Sequence, residues 1–565
     1  VEKMISILLL FFVISSIHSA SQTIIIDDCQ LLIAGGSTAA LGAFLSAIKL
    51  LNTTRGVCLL EPTDWAGGQL TAELLSIPDF ALEILHDNAT NSTLNVKEID
   101  RDPINRSPLF TQMLNVLGDT GKCDESIVCT FPHLFHEKAV LPLLNNTRIF
   151  YNTVVKRVKK DASGRRITQI DAIQRTARPE QQRCRFLSEE LPDWYSSNDS
   201  IWFTKQQLIF TNVSFVIEGT SWGEILALSN ASYLQGLMEQ FDGDTSGIGN
   251  ATCGQKITFG FLMQLLDIPV DEPPNPLPKP EGGGEYSINR RSWEYLWTDR
   301  RVNTSAKNPL MIQVNDITIQ NWDQGNDYGG KFFFLNPTET QHQIDTDQWQ
   351  GGVNFDTILN AERQAYGYYY WYRKNAPLQY ANRTVLIRSP SLTGTCHYLS
   401  KLPYMRESRR SIGHNNFLMN ITTISGSMYD LHGHIFDDRI SLGAYSVDIH
   451  YMNSCSYPSY IEKTYYPVLP YYVPLRAMTN RDIDNLIPVG KTMAQTFLVN
   501  AAVRLHPVEF STGQAAGVVG VYAIQNNIKN ISQVLEIDHL RRIQSIVKKL
   551  TPLSWTINGT RYPDD

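Results

Sequence analysis

LLIAGGSTAALGA, residues Leu31 to Ala43, is an apolar run that closes on a glycine pair and reopens as an alanine- and leucine-rich stretch. Cys29 to Ala34 reads as a strand with both faces buried, and Ser37 to Leu51 as a helix packed on a sheet. Val57 to Glu61 (VCLLE) is a second strand, so the three segments make a βαβ unit with its turn at the glycines. A dinucleotide needs such a unit: a tight turn after the first strand, a backbone open to the pyrophosphate and a helix N-terminus aimed at it. On the G-x-G-x-x-G/A pattern the three positions fall on Ala34, Gly36 and Ala39. Ala39 is an allowed variant. Ala34 departs from the pattern, with Gly35 beside it to relieve the turn. Glu61 ends the second strand 25 residues after Gly36, where a carboxylate can accept hydrogen bonds from an unphosphorylated ribose.

Other small-residue turns extend this edge. Trp65 to Thr71 (WAGGQLT) places Gly67, Gly68 and Gln69 directly after Glu61, and Gly219 breaks the strand Gln207 to Ile217 before a helix expected from Gly223 to Ser229. Near the far end, Asn485 to Gly490 (NLIPVG) is a strand closing on glycine. Thr512 to Gly517 (TGQAAG) is expected to open an apolar helix, bringing Gly513, Gln514, Ala515, Ala516 and Gly517 to a ligand.

The order of these motifs resembles the FAD-dependent oxidoreductases with a glutathione-reductase-like Rossmann fold. The matching stretches are IAGGSTAAL, LLEPTDWAGGQLT, FVIEGTSWGE, LPYMRESRRSIG, AYSVDIH, YYVPLRAM, NLIPVGKT and AAVRLHPVEFSTGQAAG, from about residue 30 to 524. The resemblance implies an α/β fold in which both ends of the chain build the FAD-binding domain around an inserted mixed α+β substrate domain. It also implies one non-covalent FAD, with its adenosine at Gly36 and Glu61. The flavin ring is expected between Gly67 to Gln69 and Gly513 to Gly517, where a helix dipole would stabilise the reduced ring.

The divisions expected are a signal peptide over 1–20, the FAD-binding domain over 21–235 and 466–540, the substrate domain over 236–465 and a tail over 541–565. The Pro/Gly-rich Asp271 to Gly284 is a linker or long loop, the sequon-rich stretch from about Asp87 to Arg106 an exposed loop or insertion, and Phe135 to Leu144 a helix.

With 565 residues, 42% of them hydrophobic and 19% charged, the chain falls among globular proteins of more than one domain. Its net charge of -7, without a Lys/Arg cluster, argues against a nucleic-acid partner. Lys3, the apolar run Ile5 to Ile17 and the small residues Ser19, Ala20 and Ser21 form a signal-like segment, and no segment is long enough for a stable membrane span. Fourteen Asn-X-Ser/Thr sequons lie along the chain. Together with the signal-like segment they predict a glycoprotein of the secretory lumen or exterior. Of the eight cysteines, Cys123 and Cys129 are the expected bridge, whereas Cys29 and Cys58, in apolar runs, read as buried thiols.

The chemistry narrows by what is missing. There is no second G-x-G-x-x-G after a strand for NAD(P)H and no C-x-x-C for disulfide reduction; the activity expected is that of an oxidase or dehydrogenase taking hydride from an unidentified small organic substrate, and a monooxygenase or halogenase on the same scaffold ranks last because it would need a reductant supply the sequence does not provide. Oxygen or a diffusible molecule would accept the electrons. His450, in SVDIH, is the first choice of base because imidazole titrates near neutrality. Arg409 in MRESRRS, Arg476 and Arg504 are candidate cations for the substrate or reduced ring, and His506 and Glu509 are reserve bases. His133 and His136 lack further ligands, so no metal is expected. Tyr366 to Tyr372 (YGYYYWY) reads as core before it reads as a cleft wall. The departure at Ala34 leaves a second reading open, a secreted binding protein with a degenerate flavin site.

Overall fold

The computed structural model describes residues 22–51, 56–87, 92–123, 126–179, 184–238, 249–426, 428–458, 465–466 and 468–564. The signal-like segment and the sequons at Asn52, Asn88 and Asn91 lie outside the described residues.

The elements that position the site are β1 (Gln22–Ile26), β2 (Leu31–Ala34), α1 (Thr38–Leu51), β3 (Val57–Leu60), β4 (Ile149–Phe150), β5 (Thr153–Lys160), β6 (Ile167–Ala177), β7 (Phe203–Phe210), β8 (Phe215–Glu218), β9 (Leu486–Pro488) and α2 (His506–Gln525). Five strands form a parallel sheet in the order β9-β8-β2-β3-β4. The two ends of the chain thus meet in one sheet, because β9 pairs with β8.

Successive side chains of a strand point to opposite faces, and both faces here are apolar. Leu31, Ile33, Val57, Leu59, Phe215 and Ile217 join one core with α1 and α2. Leu32, Ala34, Cys58, Leu60, Val216 and Leu486 join a second. The unbroken apolar runs in the sequence reflect this double burial. The second core is covered by a four-stranded layer, β1-β7-β6-β5, in which β1 runs parallel to β7 and the other pairs are antiparallel.

The central part of the chain adds an antiparallel sheet of Arg301–Asn303, Ile317–Gln320, Phe261–Leu265 and Thr384–Leu386, and a smaller one of Asp327–Tyr328, Ile257–Thr258 and Tyr404–Met405. The helix Phe355–Lys374 carries the aromatic run. Tyr368, Tyr369 and Tyr372 are fully buried, with Tyr372 stacked on Trp293 at 4.8 Å between centroids. This run is core, as the sequence suggested.

Three expectations need correction. TGQAAG does not open a helix: α2 begins at His506, with Pro507 in its first turn where a missing N–H costs nothing. The glycines instead let α2 lie directly on α1, since a Cβ on Gly513 would come within 1.9 Å of Ala39 O and one on Gly517 within 2.2 Å of Ala43 O.

Cys29 and Cys58 are not thiols but a disulfide, because pairing β2 with β3 brings their Cα atoms to 5.7 Å. Cys123–Cys129 is bridged, as are Cys184–Cys396 and Cys253–Cys455.

Asp87 to Arg106 is not all exposed loop. It contains the hairpin Ile84–Asp87/Ser92–Asn95 and the helix Val96–Arg101, anchored by buried Leu94, Val96 and Ile99. The sequon residue Asn105 is buried too, and its Nδ2 donates to the carbonyls of Ile99 and Thr556. Among the described residues no helix is long and apolar enough to cross a membrane.

Candidate functional site

Register brings the ends of the parallel strands level. Ala34 lies beside Leu60 and Glu218, and Glu218 beside Pro488. The turns after β2, β3, β8 and β9 therefore emerge from one carboxyl edge, the edge where open α/β sheets bind ligands.

Gly35, not Ala34, makes the first turn. Its φ is +90°, a conformation that excludes most side chains, and a Cβ there would sit 2.4 Å from Thr220 Cα. Ala34 stays in the strand, so its methyl does not obstruct the turn. At Gly36 a Cβ would lie 1.4 Å from Glu61 Oε2. The backbone and the carboxylate are thus in direct contact, and a cavity opens beside them, lined by Gly35, Gly36, Glu61, Gly68, Glu73 and Trp222 among others. Gly67 N donates to Gly36 O at 3.0 Å and Thr38 Oγ1 to Gly67 O at 2.9 Å, which ties the WAGGQLT turn over the first one.

Two carboxylates at this edge share a motif and differ in one respect. Glu61 Oε1 accepts from the N–H and hydroxyl of Thr63, and Glu218 Oε1 accepts in the same way from Thr220. Glu218 Oε2 also accepts from Ile225 N and Leu226 N. Glu61 Oε2 is buried and has no partner among the described residues. Burial, only partly offset by Thr63, pushes the Glu61 carboxyl up to about 8. A ligand hydroxyl donating to Oε2 would relieve that cost. This orphaned oxygen and the side-chain-free cradle at Gly36 fit an adenosine ribose and pyrophosphate.

Deeper along the edge lies a buried polar cluster. Gln69 Nε2 donates to Glu509 Oε2 at 3.0 Å and to Arg504 O at 3.1 Å. Lys491 Nζ donates to Met405 O at 2.9 Å and lies 3.9 Å from Glu509 Oε1. Burial raises the Glu509 carboxyl to about 7 against the opposing pull of Lys491, and raises Glu73 as well. Burial disfavours charge on Lys491, but Glu73 and Glu509 outweigh it and raise its pKa. Arg504 donates to Tyr404 Oη and to Asp448 Oδ2. His506 is neutral, pushed down to about 4 by burial. Its Nδ1 accepts from Asp79 N and its Nε2 donates to Leu75 O.

The structure surrounds His450, the base expected from the sequence, with carboxylates. Its Nδ1 lies 2.6 Å from Asp327 Oδ2 and 3.4 Å from Asp323 Oδ1, and its Nε2 lies 3.3 Å from Asp448 Oδ2. Burial and Arg406 oppose its charge, but the carboxylates outweigh them and raise it to about 10. At neutral pH it is an imidazolium that orients Asp448 toward Arg504. The Asp323, Asp327 and His450 donors lie within 4.8 Å of one another, close enough to hold a cation. Their charge is already met by that imidazolium, by Lys256 at 3.0 Å and by Arg406 at 3.1 Å.

Arg409 is committed to the carbonyls of Trp222, Gly351 and Gly352 and stacks over Phe334, so it braces the cavity wall. Arg476 pairs with Asp438 at 2.8 Å on a partly exposed surface, among none of the residues described above. Of the expected ligand residues, Gly35, Gly36, Glu61 and Gly68 line the cavity, while Ala34, Ala39, Gly67, Gln69, Gly219 and Gly490 are not part of its lining. Gly513, Gln514, Ala515, Ala516 and Gly517 are buried where α2 packs on α1, with Gln514 O accepting from Ser46 Oγ.

Sequence reasoning missed Glu73, Lys491 and Tyr404, whose partners come from distant parts of the chain. It could have found Glu218, because Glu61-Pro62-Thr63 and Glu218-Gly219-Thr220 repeat one pattern at two strand ends.

A family model described as FAD dependent oxidoreductase matches residues 196–546, more than half of the chain. The match takes in β8, β9 and α2 but not the first glycine turn. A search of curated proteins finds no significant match. Among solved structures, the chain is similar to a geranylgeranyl bacteriochlorophyll reductase-like protein from Thermoplasma acidophilum, at 10% identity over 94% of this chain and 85% of that one, with a TM-score of 0.30. It is also similar to adenylylsulfate reductase from Archaeoglobus fulgidus, at 12% identity over 93% and 74%, TM-score 0.32. A third is p-nitrophenol 4-monooxygenase from Pseudomonas putida, at 10% identity over 94% and 88%, TM-score 0.27.

Proposed function

The chain belongs to the family of FAD-dependent oxidoreductases, and from that premise we propose that it oxidises a small organic molecule in the secretory lumen or outside the cell, with oxygen or another diffusible molecule as final acceptor. FAD, when bound, supplies a two-electron acceptor. The observation that carries the reading is the buried, unpartnered Oε2 of Glu61 against Gly36 at the carboxyl edge of the sheet. There Glu61 would take the ribose, and the backbone at Gly35 and Gly36 would face the pyrophosphate.

Glu509 is the group suited to hold or accept a proton. Its pKa of about 7 divides it between acid and base at neutral pH, Gln69 donates to its Oε2, and the Lys491 ammonium lies 3.9 Å from its Oε1. His450 is charged and His506 is bonded at both nitrogens, so neither competes. The extracellular setting is supported by the signal-like segment, the sequons and four disulfides. The absence of a second dinucleotide motif in the sequence supports an acceptor other than NAD(P)⁺.

Anaerobic mixing of the flavin-loaded protein with a panel of alcohols, amines and acids tests the proposal. One class should bleach the flavin absorbance, and air should restore it with formation of hydrogen peroxide. Flavin that only NAD(P)H bleaches would overturn it.

A further inference from the structure

A second cavity, of about 660 Å³, lies on the far side of the Glu61–Thr63 turn and shares the Trp194 wall with the first. Its lining includes Arg175, Arg185, Lys401, Asp64, Glu190 and His397. We propose that it is a binding site for a small carboxylate of single negative charge, with Arg175 as its principal partner.

The charges carry the argument. Lys401 pairs with Asp64 at 2.7 Å and Arg185 with Glu190 at 3.5 Å. The third cation, Arg175, is only 5% exposed, and among the described residues it forms no close ion pair, feeling Glu190 and Asp64 at longer range. Its Nη2 donates to Pro62 O, and its Nη1 is buried with no partner among the described residues. Its guanidinium lies 3.5 Å over the Trp194 ring, a contact that fixes the plane of the fork and leaves the N–H edges for a planar anion. Burial lowers the pKa of Arg175 to about 10, so it stays charged at neutral pH inside a wall that cannot solvate it. A carboxylate entering the cavity would bring the missing charge and accept from Nη1.

His397 adds a neutral polar group. Burial pushes it down to about 3, and its Nδ1 accepts from Leu399 N, so the proton rests on Nε2. Leu187 and Phe203, with Trp194, supply apolar lining, which suits an acid with a hydrocarbon or aromatic body over a free inorganic ion. The site adjoins the turn after Glu61 and is separate from the Glu509 cluster, so its ligand is not the molecule being oxidised. Because Arg175 also holds the Pro62 carbonyl, occupancy would stiffen the turn that presents Glu61.

Titration calorimetry on the flavin-loaded protein tests the site with benzoate, its neutral isostere benzamide and inorganic phosphate. Benzoate should bind saturably, and better than either of the others. Arg175→Gln should weaken benzoate roughly 10- to 100-fold, as expected for losing a hydrogen bond to a charged partner. The two titrations are compared at equal flavin loading, because Arg175 also holds the turn that presents Glu61. No saturation by about 10 mM benzoate, benzamide or phosphate binding as tightly, or an unaltered Arg175→Gln titration would each overturn the proposal. Should Arg175→Gln fail to fold, the comparison of benzoate with benzamide on the unaltered protein decides the matter alone.

Discussion

Replacing Glu61 by glutamine should move stability and cofactor affinity in opposite directions. In the flavin-free protein, burial raises the Glu61 carboxyl from its usual 4.5 to about 8. Between those values the folded chain keeps a proton that the unfolded chain has lost, so stability falls as pH rises through the window and the full cost applies above pH 8. The difference amounts to about 5 kcal/mol as an upper limit. Glu61→Gln removes the ionisation and keeps an acceptor for Thr63. The flavin-free variant should match the parent near pH 4.5 and exceed it above pH 8, by a few degrees in melting temperature for a chain of this size. FAD affinity should fall, because an amide NH₂ replaces the oxygen offered to the ribose. One hydrogen bond to a charged acceptor corresponds to roughly 10- to 150-fold. Thermal melts of flavin-free protein across pH 4.5 to 9, with FAD titration followed by flavin fluorescence, measure both. A variant destabilised equally at every pH, or one that binds FAD as the parent does, would refute the role given to Glu61.

Gly36→Ala should abolish FAD retention after gel filtration, since the added carbon would fall 1.4 Å from Glu61 Oε2 and must displace the carboxylate; normal flavin content in folded protein would contradict this. Gly517→Ala, whose methyl would meet Ala43 O at 2.2 Å, should lower stability by about 1–3 kcal/mol in denaturant melts of flavin-free protein. Selective loss of flavin without loss of stability would return that residue to the cofactor site. Glu509→Gln should slow flavin reduction by roughly 10² to 10⁴ and remove a pH dependence near 7 in the reductive half-reaction. His450→Gln should not remove that dependence, and rapid mixing distinguishes the two. Peptide mapping after deglycosylation should find Asn105 unmodified, because both hydrogens of its Nδ2 are engaged by backbone carbonyls.

Much of the cofactor half was legible because its signals are local. The unbroken apolar runs of β2, β3 and β8 report burial on both faces, and the glycine pair and Glu61 follow within one βαβ unit, so chain proximity stands in for spatial proximity. TGQAAG was legible as composition but not as position. Small residues mark a close approach of backbone without saying whether the neighbour is a ligand or a helix, and only the contact of Gly513 and Gly517 with α1 identifies the helix. The disulfide Cys29–Cys58 depended on strand pairing, which no single apolar run reveals. Charge states were beyond reach for a related reason. His450 is a suitable base in isolation, but Asp323, Asp327 and Asp448 from separate segments favour its charged form and raise its pKa. The role proposed for Glu509 depends on its burial beside Lys491 and Gln69, contributed by a strand end and by a turn from opposite ends of the chain. A residue's type and its neighbours in sequence determine what chemistry it can perform. Its desolvation and its partners, which belong to the folded chain alone, determine which protonation state it holds and therefore which chemistry it does perform.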